Sequence, residues 1–124
     1  MTGTVDLRVI VQAERPRARR YAFPANVELV DADSEQVLRA KTCDLSLFGC
    51  RIKCPSAWPV GTKVRLKITY KGAAFNASGR VVHVQGTTDM GVAFAKLDNK
   101  DQLVLEIWMA ELRGSSVPSA VRGL

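Results

Sequence analysis

Apolar and polar residues alternate along most of the chain between residues 21 and 97. Every second position of the first such run is apolar, namely Phe23, Ala25, Val27 and Leu29, which predicts a strand over residues 21–30. Five further runs predict strands over residues 36–43, 49–54, 62–70, 73–84 and 90–97. Short turns rich in Gly, Asp and Ser separate these runs, as is typical of an antiparallel all-β fold.

A helix is predicted after the last strand. Asp98 is a candidate N-cap, and Gly114 is a candidate stop. Asp101 near the start and Arg113 near the end carry the charges that suit the helix dipole. The apolar face is predicted at Leu103, Ile107 and Ala110, flanked by Val104, Trp108 and Leu112.

This amphipathic helix could bury its apolar face in two ways. It could cap the end of a barrel, or Trp108 and Met109 could extend the face into a contact between two copies of the chain. We favour the cap and leave a homodimer open. The predicted fold is therefore mainly β, a six-stranded antiparallel β-barrel followed by a C-terminal α-helix.

Composition predicts one soluble domain. The 124 residues are 47% hydrophobic and 24% charged, as in ordinary globular proteins. No apolar run approaches the length of a membrane span, and Asp6 and Arg8 interrupt the first eleven residues where a signal peptide needs an apolar core. We expect a cytoplasmic protein without membrane insertion. Residues 4–11 alternate imperfectly, and we leave open whether they form a strand or have no fixed structure.

Metal and catalytic sites are not expected. Cys43, Cys50 and Cys54 cannot all pair, and the single histidine, His83, gives no zinc pattern. Cys50 and Cys54 are four positions apart on one predicted strand, so both should lie on its buried face. His83 lies in an apolar strand without a neighbouring acid or nucleophile, and we interpret it as a structural histidine. We therefore predict that the protein is not an enzyme.

Positive charge is concentrated near the N-terminus. The net charge is +6, and five basic residues fall between Arg8 and Arg20. Pro16 within this cluster favours a loop or extended segment. Because the like charges repel one another, binding a dianion would relieve the repulsion and order the segment. The cluster therefore favours an anionic partner.

The turn between the second and third strands carries the remaining candidate chemistry. Asp44 and Ser46 alternate with Leu45 and Leu47, so we expect both polar side chains on the face opposite the leucines. Gly49 has no Cβ and could adopt a positive φ or let a flat ligand approach. Together with arginines, which bind phosphate and stack on flat rings, this turn suits a planar anionic ligand.

The two stretches together are similar to the bipartite signature of the PilZ domain family. The turn reads Asp44-x-Ser46-x-x-Gly49, and Arg15-x-x-x-Arg19 precedes the first strand. The resemblance continues in Gly-Arg-Val-Val-His-Val at residues 79–84 and Gly-Val-Ala-Phe at residues 91–94, and covers about residues 15–112. It implies a small β-barrel that binds the bacterial second messenger cyclic di-GMP, with no cofactor besides this ligand.

The resemblance also implies roles for individual residues. Arg15 and Arg19 would contact phosphates and guanine faces, and Asp44 would accept hydrogen bonds from a guanine edge. Ser46 would bond to phosphate or base, and Gly49 would permit the turn. If Arg20 takes the place of the second arginine, the spacing from Arg15 is one residue longer, so Arg15, Arg19 and Arg20 all remain candidates.

The resemblance implies two possible functions, and the positive charge with the small β architecture suggests a third. The first is a receptor that binds cyclic di-GMP and signals its occupancy to a partner protein or fused domain by ordering the arginine-rich segment. The second is an adaptor of the same fold that acts in protein contacts without ligand. The third is a nucleic-acid-binding barrel, which we do not favour because aromatic residues form no stacking series. The predicted boundaries are an extension over residues 1–14, a barrel domain over 15–113 and a tail over 114–124.

Overall fold

The computed structural model describes residues 19–115. The segment at residues 4–11, the candidate Arg15, and the tail beyond residue 115 lie outside the described residues. Seven strands and one helix follow one another in the described part: β1 (Tyr21–Ala22), β2 (Asn26–Asp31), β3 (Val37–Leu45), β4 (Gly49–Lys53), β5 (Lys63–Tyr70), β6 (Ala73–Gln85), β7 (Asp89–Lys96) and α1 (Asn99–Ser115).

Six of these strands close into a barrel. Around the barrel the order is β3-β2-β5-β6-β7-β4, and β4 pairs again with β3, every pairing being antiparallel. The prediction of a six-stranded antiparallel β-barrel with a C-terminal helix is confirmed. The seventh strand, β1, is a two-residue addition that pairs Tyr21 with Leu45 and Ala22 with Asp44 at the end of β3.

The first predicted strand is interrupted between β1 and β2. Pro24 has no backbone N–H and lies between the two pieces. The buried hydroxyl of Thr42 bridges the interruption, because it donates to the Phe23 carbonyl and accepts a hydrogen bond of 3.0 Å from Ala25 N. Phe23 N also donates to the Cys43 carbonyl at 2.9 Å. Both pieces therefore follow β3, and Arg20 is carried to the end of that strand.

The barrel interior is apolar, and α1 covers one end of it. Leu105, Trp108 and Met109 on α1 are buried, and the Trp108 ring lies 5.3 Å from that of Phe23 and 5.4 Å from that of Phe75 between centroids. The prediction that the helix caps the barrel is confirmed. The alternative of a dimer contact through Trp108 and Met109 is wrong for this chain, because the barrel itself buries both side chains.

The predicted apolar face of the helix was misplaced. Leu103 and Ile107 are 57% and 48% exposed, whereas Leu105 is fully buried. Residues three and four positions apart share a helix face, so Leu105, Trp108 and Met109 form one buried stripe. The apolar face predicted around Leu103 and Ile107 lies beside this stripe. Nor does Gly114 stop the helix, which continues to Ser115.

The helix also covers an open strand edge. β7 pairs with β6 only from Ser78 onward, so among residues 19–115 no strand pairs with the edge of β6 between Ala73 and Ala77 that faces away from β5. Asp101 of α1 is 5% exposed and accepts a hydrogen bond of 2.9 Å from Asn76 N on this edge. Asp101 therefore satisfies a backbone donor that a missing strand would have paired.

Within residues 19–115, no helix has the apolar length that a bilayer crossing requires.

Candidate functional site

A groove of about 590 Å³ runs over the wall formed by β4, β7 and the adjoining ends of β3 and β6. Four of the six predicted site residues line it: Arg20, Asp44, Ser46 and Gly49. The fifth, Arg19, is exposed and does not line the groove, and the sixth, Arg15, lies outside the described residues. The fold thus brings two separate stretches of the sequence into one concave surface.

Asp44 is held by two arginines. Arg20 Nη1 lies 3.0 Å from Asp44 Oδ1, and Arg51 Nε lies 3.5 Å from Asp44 Oδ2. The pairing of Ala22 with Asp44 places Arg20 next to this carboxylate. The side chains of Arg20 and Arg51 are 58% and 45% exposed, whereas that of Asp44 is 18% exposed. The structure therefore brings Arg20, and not Arg19, to the Asp44 carboxylate.

The ion pairs continue along β4. Arg51 Nε also lies 3.7 Å from Asp89 Oδ1, and Lys53 Nζ lies 3.5 Å from Asp89 Oδ2. Arg51 is thus shared between the carboxylates of Asp44 and Asp89. Sequence reasoning missed Arg51, although its pairing with Asp44 across β3 and β4 follows once the register is known.

Ser46 holds the turn. Its side chain is buried, and its hydroxyl donates to the Gly49 carbonyl at 3.3 Å and accepts a hydrogen bond of 3.1 Å from Phe48 N. The expected alternation ends here because β3 stops at Leu45, which is fully buried, whereas Leu47 is 38% exposed. Asp44 and Ser46 both line the groove, but the leucines do not share a buried face.

Gly49 is required by strand packing. Its backbone is not in the positive-φ region, so the first of the two alternatives given for Gly49, a positive φ, does not apply. A Cβ at Gly49 would lie 2.3 Å from the Val92 carbonyl oxygen of β7. A Cβ at Gly79 would likewise lie 2.4 Å from the Ala93 oxygen, beside a register shift between Ser78 and Gly79. Glycine therefore lets β4 and β6 approach β7 closely beneath the groove.

Apolar side chains form another part of the groove. Phe48 and Val82 are 50% and 53% exposed, and both line it. A second register shift in β6, between Val81 and His83, accompanies the exposure of Val82 and His83. His83, interpreted from the sequence as a structural histidine and not a catalytic base, is exposed and lines the groove. Sequence reasoning missed Phe48 and Val82 as well.

Two of the three thiols are buried, as predicted. Cys50 and Cys54 are 1% and 7% exposed. Burial, with a smaller contribution from the negative charge of Asp44, raises the pKa of Cys50 to about 12. Burial also raises the pKa of Cys54. No group of three or more metal-ligating side chains occurs among residues 19–115.

The groove therefore combines three kinds of surface. Two exposed guanidinium groups can bind anions, a carboxylate can accept adjacent N–H donors, and Phe48 and Val82 can pack against a flat ring. This combination suits a small planar ligand that carries negative charge.

Comparisons with known proteins agree with this architecture. The family model described as PilZ domain matches residues 14–111. Among curated proteins, none matches the chain. A PilZ domain of CeSA from a cellulose-synthesizing bacterium aligns with a TM-score of 0.60 and 18% identity, over 78% of this chain and 97% of that one.

Two larger proteins contain the same fold. The Bacillus subtilis inhibitor of motility MotI/DgrA aligns with a TM-score of 0.70 and 13% identity, over 82% of this chain. Escherichia coli YcgR, solved in complex with c-di-GMP, aligns with a TM-score of 0.69 and 15% identity, over 87% of this chain. This chain spans 53% of the first and 50% of the second. Since the family model covers most of its length, the chain belongs to the PilZ domain family.

Proposed function

We propose that this protein is a receptor for cyclic di-GMP. The observation that carries the proposal is the meeting of Arg20, Asp44, Ser46 and Gly49 in one groove. Support comes from the PilZ domain of Escherichia coli YcgR, which was solved with c-di-GMP. The alignment with that domain covers 84% of the present chain. The groove also offers the charges and the apolar surface that a ligand with two phosphates and two guanines requires.

Ligand binding would rearrange the arginines around Asp44. The Arg20–Asp44 pair is largely exposed on the arginine side, and such surface pairs contribute only about 0–1 kcal/mol. A phosphate offers Arg20 a bidentate, charge-assisted alternative, so exchanging partners costs little. Asp44, once released, would accept hydrogen bonds from the adjacent N–H donors of a guanine edge. Arg51 would then remain close to Asp44 and limit the charge left uncompensated.

The two other signature residues act mainly through the shape of the turn. The Ser46 hydroxyl is already engaged by Gly49 O and Phe48 N, so it would position Phe48 and add a ligand contact only by exchanging one of these bonds. Gly49 would keep β4 against β7. Phe48 and Val82 would pack on a guanine face, which leaves the arginines to the phosphates.

The arginine-rich segment would transmit occupancy. Arg20 directly precedes β1, whose two residues pair with the end of β3 beside Asp44. We propose that phosphate contacts from Arg20, and from Arg15 or Arg19 upstream, order residues 15–20 against the barrel and change the contact with a partner protein or fused domain. The adaptor without ligand is less favoured, because Asp44, Ser46 and Gly49 are all present and line one groove.

Calorimetric titration of cyclic di-GMP into the full chain tests the receptor. We expect a dissociation constant in the micromolar range or tighter, corresponding to about −8 kcal/mol or better. Binding should be lost or strongly weakened in Arg20→Ala and Asp44→Ala. Arg39→Ala is the matched control. Arg39 is an exposed arginine that does not line the groove, and its Nη2 lies 3.2 Å from Glu28 Oε2.

The same titration distinguishes the alternatives. No heat with folded wild-type protein at high concentration would reject the receptor and favour the adaptor. Equal weakening by Arg39→Ala would show that net charge alone drives binding and would reject the assigned site. If binding is confirmed, trypsin cleavage after Arg17, Arg19 and Arg20 should slow at saturating ligand, and unchanged cleavage would reject the ordering mechanism.

A further inference from the structure

Asp89 is a carboxylate beside the groove that the proposed function does not use. It begins β7 and pairs with Lys53 of β4 in the strand register, but it does not line the groove itself. Its side chain is 17% exposed, and its Oδ1 is buried without a hydrogen-bond donor among residues 19–115. Leaving a buried acceptor unbonded is costly, so this oxygen would gain from a donor that moves toward it.

Arg51 is the cation beside this oxygen. In the strand register Arg51 pairs with Asp44 on one side and with Gly91 on the other. Asp89 is two residues from Gly91 and therefore shares its face of β7. Arg51 Nε lies 3.5 Å from Asp44 Oδ2 and 3.7 Å from Asp89 Oδ1. A close charge-assisted N–H···O bond measures about 2.7–2.9 Å, so Arg51 can move closer to either carboxylate.

The proposed guanine contact calls for both oxygens of Asp44. A guanine edge presents adjacent N–H donors, whereas each Asp44 oxygen faces an arginine, Arg20 at Oδ1 and Arg51 at Oδ2. Arg20 can exchange its partner for a phosphate of the ligand. Arg51, in contrast, competes with the guanine for Oδ2 unless it has another acceptor.

Asp89 Oδ1 is such an acceptor. A movement of Arg51 Nε by about 0.8 Å would shorten its distance to this oxygen from 3.7 Å to about 2.9 Å. The Arg51 side chain is 45% exposed, so it has room for this movement. Lys53 Nζ lies 3.5 Å from the other oxygen of Asp89, which leaves Oδ1 for Arg51. After so small a movement Arg51 would still compensate part of the charge of Asp44.

We propose that Asp89 is a positioning residue of the ligand site, which draws Arg51 away from Asp44 Oδ2 when a guanine edge binds there. The inference rests on the proposed binding of cyclic di-GMP and adds a residue that does not touch the ligand. Charge alone predicts the opposite effect of Asp89, because a carboxylate near the groove repels the phosphates of the ligand. The direction in which the affinity changes when this charge is removed therefore separates the two explanations.

A double-mutant cycle measured by calorimetry tests the proposal with the full chain and cyclic di-GMP. Asp89→Asn keeps the shape of the side chain and removes its charge, and it should weaken binding by about fivefold, as expected within one ion-pair network. In an Arg51→Gln background the same substitution should change the affinity by less than about twofold, because Arg51 is the group through which Asp89 acts. The cycle subtracts the effect that Arg51→Gln has by itself.

Two controls separate positioning from other roles of the carboxylate. Glu28→Gln also removes a strand carboxylate that pairs with an arginine, but Glu28 does not line the groove, so the affinity should not fall. Lys53→Gln breaks the other ion pair of Asp89 and should weaken binding by less than about twofold. A loss equal to that of Asp89→Asn would mean that Asp89 acts by joining β4 to β7, and would overturn the proposal. A melting temperature measured for each variant excludes unfolding as the cause of any loss.

The Nε–H resonance of Arg51 reports the movement directly. In nitrogen–proton correlation spectra this resonance is identified by its loss in Arg51→Lys. It should shift downfield when cyclic di-GMP is added to the wild type, because its proton becomes bonded to a carboxylate oxygen of Asp89. The shift should be much smaller in Asp89→Asn, whose neutral amide oxygen is a weaker acceptor. An equal shift in Asp89→Asn would mean that Arg51 binds the ligand itself, and would overturn the proposal.

The outcomes distinguish this inference from the proposed function. No binding by the folded wild type would reject the receptor and the inference together. Binding by the wild type that Asp89→Asn leaves unchanged or tightens would reject the inference alone. Equal weakening by Asp89→Asn in the presence and absence of Arg51 would also reject it, because Asp89 would then act through another group.

Discussion

Replacing Gly49 by alanine separates two explanations of this signature glycine. If glycine is there to let a ligand approach, Gly49→Ala should reduce affinity and leave stability unchanged. The structure indicates instead that Gly49→Ala reduces the stability of the fold, because the new Cβ would lie 2.3 Å from the Val92 carbonyl oxygen. β4 and β7 would have to separate at the point where Gly49 pairs with Ala93. We therefore expect a loss of stability first and a loss of binding only as its consequence.

The size of the effect follows from the contact. Overpacking in a well-packed interior costs about 1–3 kcal/mol, and alanine recovers about 0.4–1 kcal/mol by restricting the unfolded chain. The net destabilisation of about 1–2 kcal/mol should lower the melting temperature by about 4–16 °C for a domain of this size. Gly91→Ala is the matched control, since Gly91 also lines the groove but its Cβ would meet only the His83 Cβ at an ordinary 3.5 Å.

Thermal unfolding followed by circular dichroism, with and without cyclic di-GMP, measures both effects. Gly49→Ala should melt well below the wild type, and Gly91→Ala should melt close to it. Folded Gly49→Ala at low temperature should still bind ligand if the barrel tolerates the separation. A wild-type melting temperature combined with lost binding in Gly49→Ala would refute the packing argument and restore the role of glycine in ligand approach.

Three further outcomes are expected. Phe48→Ala should weaken cyclic di-GMP binding by about tenfold, because an aromatic face that packs on the ligand is lost. Leu47→Ala, at a neighbouring exposed position outside the groove, should leave the affinity unchanged, and calorimetry compares the two variants. The pKa of Cys50 is raised from 9.0 to about 12 in the folded state, so its contribution to stability is fully present below pH 9 and should fall as the pH rises toward 12. Chemical denaturation at each pH measures this fall. Cys50→Ser should remove part of the pH dependence. Asp101→Ala should destabilise the fold by about 1–3 kcal/mol by leaving Asn76 N unpaired, and Asp101→Asn, which keeps an acceptor, should cost less in urea unfolding.

Alternation with a period of two was sufficient to locate the barrel strands. Leu29 and Ile68 are fully buried, and their polar neighbours face outward. The sequence of each strand therefore shows which of its side chains face the barrel interior. The break at Pro24 was missed because apolar residues continue across it, and only the missing donor marks it. The helix face was misplaced because Leu103 and Ile107 carry a helical repeat of their own that the barrel does not use.

The candidate site was predictable where neighbours in sequence are neighbours in space. The turn from Asp44 to Gly49 was identified as a unit because a single hairpin contains it. Arg51, Val82 and His83 could not be identified in this way, because their place at the groove depends on how β3, β4 and β7 are paired and on a register shift in β6. Which arginine meets Asp44 also depends on that pairing.

The open edge of β6 has a consequence for solubility. A closed barrel offers no free strand to another molecule, and residues 73–77 are the place where this closure is incomplete beside α1. Ala73, Phe75 and Ala77 alternate there in a segment that contains no charge. Detachment of α1 would uncover both this edge and the Phe75 side chain. The helix therefore acts as a guard against edge-to-edge aggregation, and truncations that remove it should yield insoluble material even if the barrel strands still form.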